Sequence, residues 1–293
     1  MVNVAGIGQA HPLGSRQMIV CVCIASRGRP EALTTAVTET FNRSQHGCKF
    51  HIAIDDDDES DYVYGTRGPR ENSLGAKYNR AASYAAGSNA SLYVLGVDDC
   101  YLATPGWDDA LLQAAAKFQD GVGCVYFGQK KDLFDLPDGI AVTKGWIDQV
   151  GFFMPPHFPF WWHDTWIDEI ARMTGRYVWA NVQWEKFGST EKPGGHKTTR
   201  MREVSWWAKF FDSTRQIRVN KALEMIARLD YPEWHRTQLR QEMQGLANVL
   251  WRRNGLVRDR GHEFEQTYGG ETAPDAGYVQ IRAEAEQMLA GLK

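Results

Sequence analysis

An unbroken apolar run, rich in β-branched residues, extends over residues 17–25 (Gln-Met-Ile-Val-Cys-Val-Cys-Ile-Ala). Such a run predicts a strand covered on both faces, as in a parallel sheet. A polar turn, Ser26-Arg27-Gly28-Arg29-Pro30, ends it, and residues 31–41 follow with helical spacing and Pro30 at the first turn. Residues 49–54 predict a second strand that runs into Asp55-Asp56-Asp57-Asp58. Residues 74–87 are alanine-rich and helical, and 91–95 predict a third strand leading to Asp98-Asp99. Further on, 123–127 and 177–182 have strand character, and 164–174 reads as a helix closed by Gly175. Residues 186–202, with Gly188, Pro193, Gly194 and Gly195, predict a mobile loop. Past Val204 the spacing turns helical. Leu239, Met243, Leu246 and Leu250 share one face, Ile281, Met288 and Leu292 suggest a short last helix, and 261–277 reads as loop.

Strands alternating with helices imply right-handed βαβ units, so the expected fold is α/β and Rossmann-like, a mostly parallel sheet flanked by helices. The expected division is one catalytic domain over 1–203 and a helical C-terminal extension over 204–293. In sheets of this kind ligands bind beyond the carboxyl ends of the strands. Each of the first three strands ends there in polar or acidic residues.

Composition adds limits. A chain of 293 residues with 43% hydrophobic and 24% charged residues is globular and long enough for a large core. A net charge of −3 argues against a protein coated in nucleic acid but leaves room for a local basic patch. The five cysteines lack the spacing of a disulfide framework or zinc knuckle. Cys21 and Cys23 read as buried small hydrophobes, and reduced thiols fit a cytoplasmic protein. Residues 1–17 show no signal-peptide pattern, and no apolar run is long enough to span a bilayer. No obligate protein partner is evident. Eleven tryptophans are many, and some are expected to line a cleft that stacks on a sugar or base.

Four adjacent carboxylates repel unless cations or hydrogen-bond donors lie opposite. With Asp98-Asp99 they place two acidic groups at one sheet edge, a plausible oxygen-ligand site for Mg²⁺ or Mn²⁺ holding a diphosphate. The bland reading of such clusters is a solvated loop.

These pieces together resemble the GT-A fold glycosyltransferases, especially family 2-like members. The resemblance rests on the Ala25-Ser26-Arg27-Gly28-Arg29-Pro30 turn, the Ile54-Asp55-Asp56-Asp57 strand end and the Gly75-Ala76-Lys77-Tyr78-Asn79-Arg80-Ala81 helix pattern. It is completed by Leu95-Gly96-Val97-Asp98-Asp99 and the Thr104-Pro105-Gly106-Trp107 turn. It implies transfer of a sugar, with inversion, from a nucleotide-sugar donor, with UDP the family habit. Ala25, Ser26, Arg27, Asp55, Asp56 and Asp57 would hold the nucleoside. Lys77, Asn79, Asp98 and His196 would complete the donor site, and Asp98 and Asp99 would bind Mn²⁺ or Mg²⁺. Gly96 stands where the first acid of the usual metal triplet often occurs, and no histidine follows the late strand at Val182-Gln183-Trp184-Glu185. His196 is the substitute ligand the sequence offers.

On the acceptor side, Asp164 is the first choice for general base, and its ordinary alternative is a helix N-cap. Asp168 and Glu169 come after it. Trp107, Trp161, Trp162 and His163 are expected at the acceptor, with core packing the competing explanation. The basic residues Lys192, His196, Lys197, Arg200 and Arg202 could close over the diphosphate. Arginines of the C-terminal segment, among them Arg215, Arg218, Arg228, Arg236, Arg240 and Arg252, interleave with Trp206, Trp207, Trp234 and Trp251. Arginine with aromatic residues suits phosphate contacts and stacking on an extruded base. Some viral family 2-like enzymes glycosylate modified DNA bases, so DNA with a hydroxylated pyrimidine is the leading acceptor, beside polysaccharide, protein or a small molecule. A nucleotidyltransferase and a catalytically inactive carbohydrate- or nucleic-acid-binding protein of the same fold are the rivals.

Overall fold

The computed structural model describes residues 19–85, 90–129, 136–187, 202–268 and 276–292, with backbone alone over 253–268. Residues 188–201, with Lys192, His196, Lys197 and Arg200 of the basic loop, lie outside the described residues, whereas the Arg202 guanidinium lies 5.5 Å from the Tyr278 ring centroid. The apolar run forms β1 (Ile19–Ala25), an interior strand of a seven-stranded sheet. β1 pairs in parallel with β2 (Lys49–Asp55) on one side and β4 (Ala90–Gly96) on the other, and β3 (Thr66–Gly68) extends β2 at the edge. Beyond β4 come β7 (Gly139–Thr143), antiparallel to both neighbours, then β6 (Cys124–Phe127) and β8 (Tyr177–Trp179). A small antiparallel pair, β5 (Cys100–Leu102) with β9 (Trp184–Lys186), lies apart.

Side-chain alternation along the strands builds two cores, one on each face. Val20, Val22 and Ile24 face α1 (Pro30–Asn42) and α3 (Trp107–Ala115) in one. Cys21 and Cys23 face Ala81, Ala82 and Ala85 of α2 (Leu74–Ala85) in the other, and small residues on both sides suit close approach of helix and strand. Both cysteines are fully buried free thiols, as expected from their setting.

α4 (Lys144–Val150) and α5 (His163–Met173) cover the same face as α2. α5 ends at Gly175 (φ +66°), the left-handed residue that the sequence placed there. The C-terminal helices are α6 (Val204–Ser213), α7 (Arg215–Arg228), α8 (Glu233–Tyr268) and α9 (Ala276–Ala290). Trp207, Phe210 and Phe211 of α6 join the core that holds Trp166 of α5, so this end of the chain packs directly on α5. No described helix is long and apolar enough to cross a membrane.

Two expectations are corrected, and one strand is added to them. Residues 261–268, read as loop, continue α8, where one glycine costs only about 1 kcal/mol in a helix of 36 residues. Leu292, read as part of the last helical stripe, lies past α9 and is 45% exposed. Residues 139–143, not read as an element, form a strand buried at every position. At five residues it is too short to show a period.

Candidate functional site at the β1–β4 crossover

β2 lies on one side of β1 and β4 on the other, so the strand order reverses between β1 and β4. A crevice at that reversal, beyond the carboxyl ends, is where open α/β sheets bind ligands. Ser26 follows β1 and Asp98 follows β4, and the Ser26 hydroxyl donates to Asp98 Oδ2 at 2.8 Å. The two loops expected to meet at the site therefore do meet.

The acidic run after β2 is held by the donors its charge demands. Asp55 is buried and accepts from Lys77 Nζ (2.7 Å) and Arg27 Nη1 (3.2 Å) on one oxygen and from Arg80 Nη2 (3.0 Å) on the other. Asp56 is exposed. Asp57, exposed at its side chain, pairs with Arg27 and, at 3.0 Å, with Arg70. The Arg27 guanidinium holds the Asp57 carboxyl down to about 2. Asp58 is buried and takes N–H bonds from Gly28 (2.9 Å) and Ser60 (3.1 Å) and the Tyr62 hydroxyl (2.9 Å). Burial raises its pKa, but these donors outweigh that and leave it below the usual value.

This arrangement changes three sequence readings. Asp55, expected at the nucleoside, already meets three cations and Asp57 meets two, which leaves Asp56 as the exposed carboxylate of the three with no such pairing described. Lys77, expected near the diphosphate, is buried, and its ammonium is spent on Asp55 and on the Ser26 carbonyl (2.7 Å). Burial draws its pKa down. Asn79, expected at the donor, instead staples the loop before α5. Its Oδ1 accepts from Phe153 N (2.9 Å) and Met154 N (2.8 Å), and its Nδ2 donates to the Met154 carbonyl (2.8 Å). α2 thus ties the acidic cluster to the loop that delivers Asp164. The approach is close: a Cβ on Gly75 would lie 2.1 Å from the Pro155 carbonyl oxygen and 3.1 Å from the His163 ring.

Asp98 and Asp99 form the second acidic group. Burial pushes the Asp98 carboxyl up, opposed by Arg29 and Ser26. Arg29 Nη1 lies 3.1 Å from Asp98 Oδ1 and 3.2 Å from Asp99 Oδ2, and Lys186 Nζ lies 3.4 Å from the latter. Arg29, Arg80 and Lys186 were given no role at the site from the sequence. Arg80 could have been found, because it lies three residues past Lys77 on one helix face.

A divalent cation fits the pair by donor chemistry. Two hard carboxylates present one oxygen each towards a shared point, and such an ion commonly takes its remaining ligands from water and substrate phosphates. No group of three His, Cys, Asp or Glu residues able to hold a metal is found among the described residues. Gly96 explains the missing acid. A Cβ there would sit 2.6 Å from Ile24 Cγ1 and 2.8 Å from Val22 Cγ1, inside the apolar core and not facing the pair. Gly96→Asp is therefore expected to destabilise the chain by about 3 kcal/mol or more, through overpacking and a buried charge. The measurement is the denaturation midpoint, and an unchanged midpoint would contradict this packing.

Asp164 lies in the first turn of α5. The N-cap is Trp162, so Asp164 is not the cap. Its partly exposed carboxylate accepts from the Thr165 N–H (2.7 Å), and a helix N-terminus favours its charge. Desolvation nevertheless raises its pKa, with the Thr165 N–H and hydroxyl opposing. Trp162 has φ +69°, a strained conformation for an aromatic residue, of about 1 kcal/mol or more. Its buried ring stacks on Phe211.

The aromatic acceptor platform is reduced. Trp107 is fully buried in the core beneath α1, and its indole N–H donates to the Thr40 carbonyl (2.9 Å). Trp162 and His163 are buried too, His163 with Nδ1 on the Pro155 carbonyl (3.0 Å) and burial lowering its pKa to about 4. These side chains are core, as large aromatic surfaces usually are. Only Trp161 of the four expected residues keeps a partly exposed face.

The architecture matches solved structures. Over 94% of this chain and 84% of the other, it superposes on the 1–349 fragment of S. aureus TarS in complex with UDP-GlcNAc, with a TM-score of 0.52 and 12% identity. The same fragment alone gives a TM-score of 0.53 and 11% identity, over 94% and 83% of the two chains. The fold is GT-A-like. No protein-family model and no curated protein matches the sequence. In this GT-A-like frame the Ser26–Asp98 contact lies where the strand order reverses, Arg27 pairs with Asp57 after β2, and Asp164 stands on the helix whose preceding loop is stapled to α2.

Proposed function

We propose that the chain is a glycosyltransferase that moves a sugar from a nucleoside-diphosphate donor, UDP-linked by preference, to an acceptor hydroxyl. The observation that carries this reading is the meeting of Ser26, Arg29, Asp98 and Asp99 at the strand-order reversal of a GT-A-like sheet. The diphosphate would lie over this crevice, with Asp56 or Asp57 accepting from the base. Asp164 would take the acceptor proton as that oxygen attacks the anomeric carbon, while the bond to the diphosphate breaks and its electrons leave with the nucleotide. Inversion at the sugar carbon follows from this single displacement. Mn²⁺ or Mg²⁺ held by Asp98 and Asp99 would supply a Lewis acid for the departing diphosphate.

For the acceptor, DNA bearing a hydroxylated pyrimidine draws support from the exposed Trp234 and Trp251 of α8, with Arg228 and Arg252 also exposed. The basic face is smaller than the sequence suggested. Arg218 is buried on Glu169, and Arg236 and Arg240 both reach Glu233. Duplex binding that weakens steeply with salt would support DNA. No duplex binding at low salt would leave a saccharide, protein or small-molecule hydroxyl.

The test of the main reading is nucleoside diphosphate release from UDP-, GDP-, ADP- and TDP-sugars, with and without Mn²⁺, for wild type and Asp98→Ala. Slow hydrolysis of one donor, lost in the variant, is the expected result. No turnover together with no calorimetric binding of any nucleotide would overturn it.

A further inference from the structure

A cationic nitrogen already occupies the point on which Asp98 and Asp99 converge. Arg29 Nη1 contacts one oxygen of each carboxylate, at 3.1 and 3.2 Å. The second oxygen of Asp98 is held by the Ser26 hydroxyl (2.8 Å), and that of Asp99 lies 3.4 Å from the Cys100 thiol. The oxygens aimed inwards are thus the ones a divalent ion would need, at about 2.0–2.6 Å. A guanidinium and a divalent cation cannot share that point, because like charges so close repel strongly in a partly desolvated site.

Arg29 is fixed for this position. It precedes Pro30 at the start of α1, its backbone N–H donates to the Tyr62 hydroxyl (3.1 Å), and its side chain is only 16% exposed. An arginine so enclosed needs a carboxylate opposite it. Lys186, 72% exposed, lies 3.4 Å from Asp99.

The geometry points to Arg29 as a built-in counter-cation that competes with a divalent ion for the Asp98–Asp99 pair. The ion binds only when the guanidinium leaves, so the free protein holds it weakly. This deepens the proposed function and rests on the same acid pair.

The test is direct Mn²⁺ titration of the full chain, followed by the electron paramagnetic resonance signal of the free ion, with no sugar donor present. Arg29→Gln is expected to tighten Mn²⁺ binding by at least about fivefold. Asp99→Asn in the Arg29→Gln background is expected to remove that gain. Arg29→Ala serves as the second replacement should the glutamine variant fold poorly, and thermal melts identify the folded one. Unchanged or weaker Mn²⁺ binding in the folded variant, or a gain that survives Asp99→Asn, overturns the inference. Donor hydrolysis is read separately. An active enzyme with no Mn²⁺ gain sinks only the counter-cation, whereas a Mn²⁺ gain without nucleotide binding sinks only the transferase reading.

Discussion

Asp164→Asn is expected to lower sugar transfer by about 10²–10⁴-fold while nucleotide affinity stays within about twofold of wild type. Asparagine keeps the shape and can still accept the Thr165 N–H, so α5 should start as before. What it cannot do is take a proton. On the proposed function the base must be ionised, and desolvation raises its pKa above the ordinary carboxylate value. Transfer should therefore fall as the pH drops, with an acid limb displaced upward from that of an ordinary carboxylate. That limb should vanish from the residual rate of the variant. A variant with wild-type turnover, or with the same acid limb, would remove Asp164 from the chemistry and turn attention to other acceptors of the proton.

The parts of the fold legible in the sequence were those with a long period or a strong end signal. β1, β2 and β4 are apolar runs that stop at polar residues, and α1 and α5 carry Pro30 and Gly175 at their ends. β3, β5 and β9, three residues each, have no period to read and exist because a neighbour pairs with them. The site was legible as a set of acids, since four carboxylates in a row demand compensation. Which oxygen met which cation was not. Lys77 and Asn79 lie in one helix pattern, yet one turns inward to Asp55 and the other to the backbone before α5. Nothing in the one-dimensional text separates a lysine that binds substrate from one that neutralises a buried aspartate. Arg29 illustrates the same limit, because its role depends on β4 arriving beside β1 from about seventy residues away. The tryptophans misled for a related reason, since ring chemistry is the same in a core as in a cleft.

Arg218→Met is expected to destabilise the protein by about 3–5 kcal/mol, and to lower Tm by roughly 6–15 °C. Arg218 is 1% exposed on α7 and pairs with Glu169 of α5. It also donates to the Phe211 carbonyl (2.9 Å) and the Thr214 hydroxyl (3.2 Å), and its guanidinium lies 3.8 Å from the Phe211 ring centroid. Burial lowers its pKa, and Glu169 opposes that shift. Taking away the arginine removes a cationic partner from a buried carboxylate, which is the costly half of the change. Glu169→Leu combined with Arg218→Met removes both charges and fills the space with apolar volume, so most of the lost stability should return. Because Glu169 lies five residues after Asp164 on one helix, the single variant should also lose transfer activity at temperatures where the double variant retains it. Chemical denaturation of the wild type, both singles and the double gives the coupling between the two residues. Equal losses in the single and double variants would mean that packing of the long side chain, rather than its charge, holds the C-terminal helices to α5.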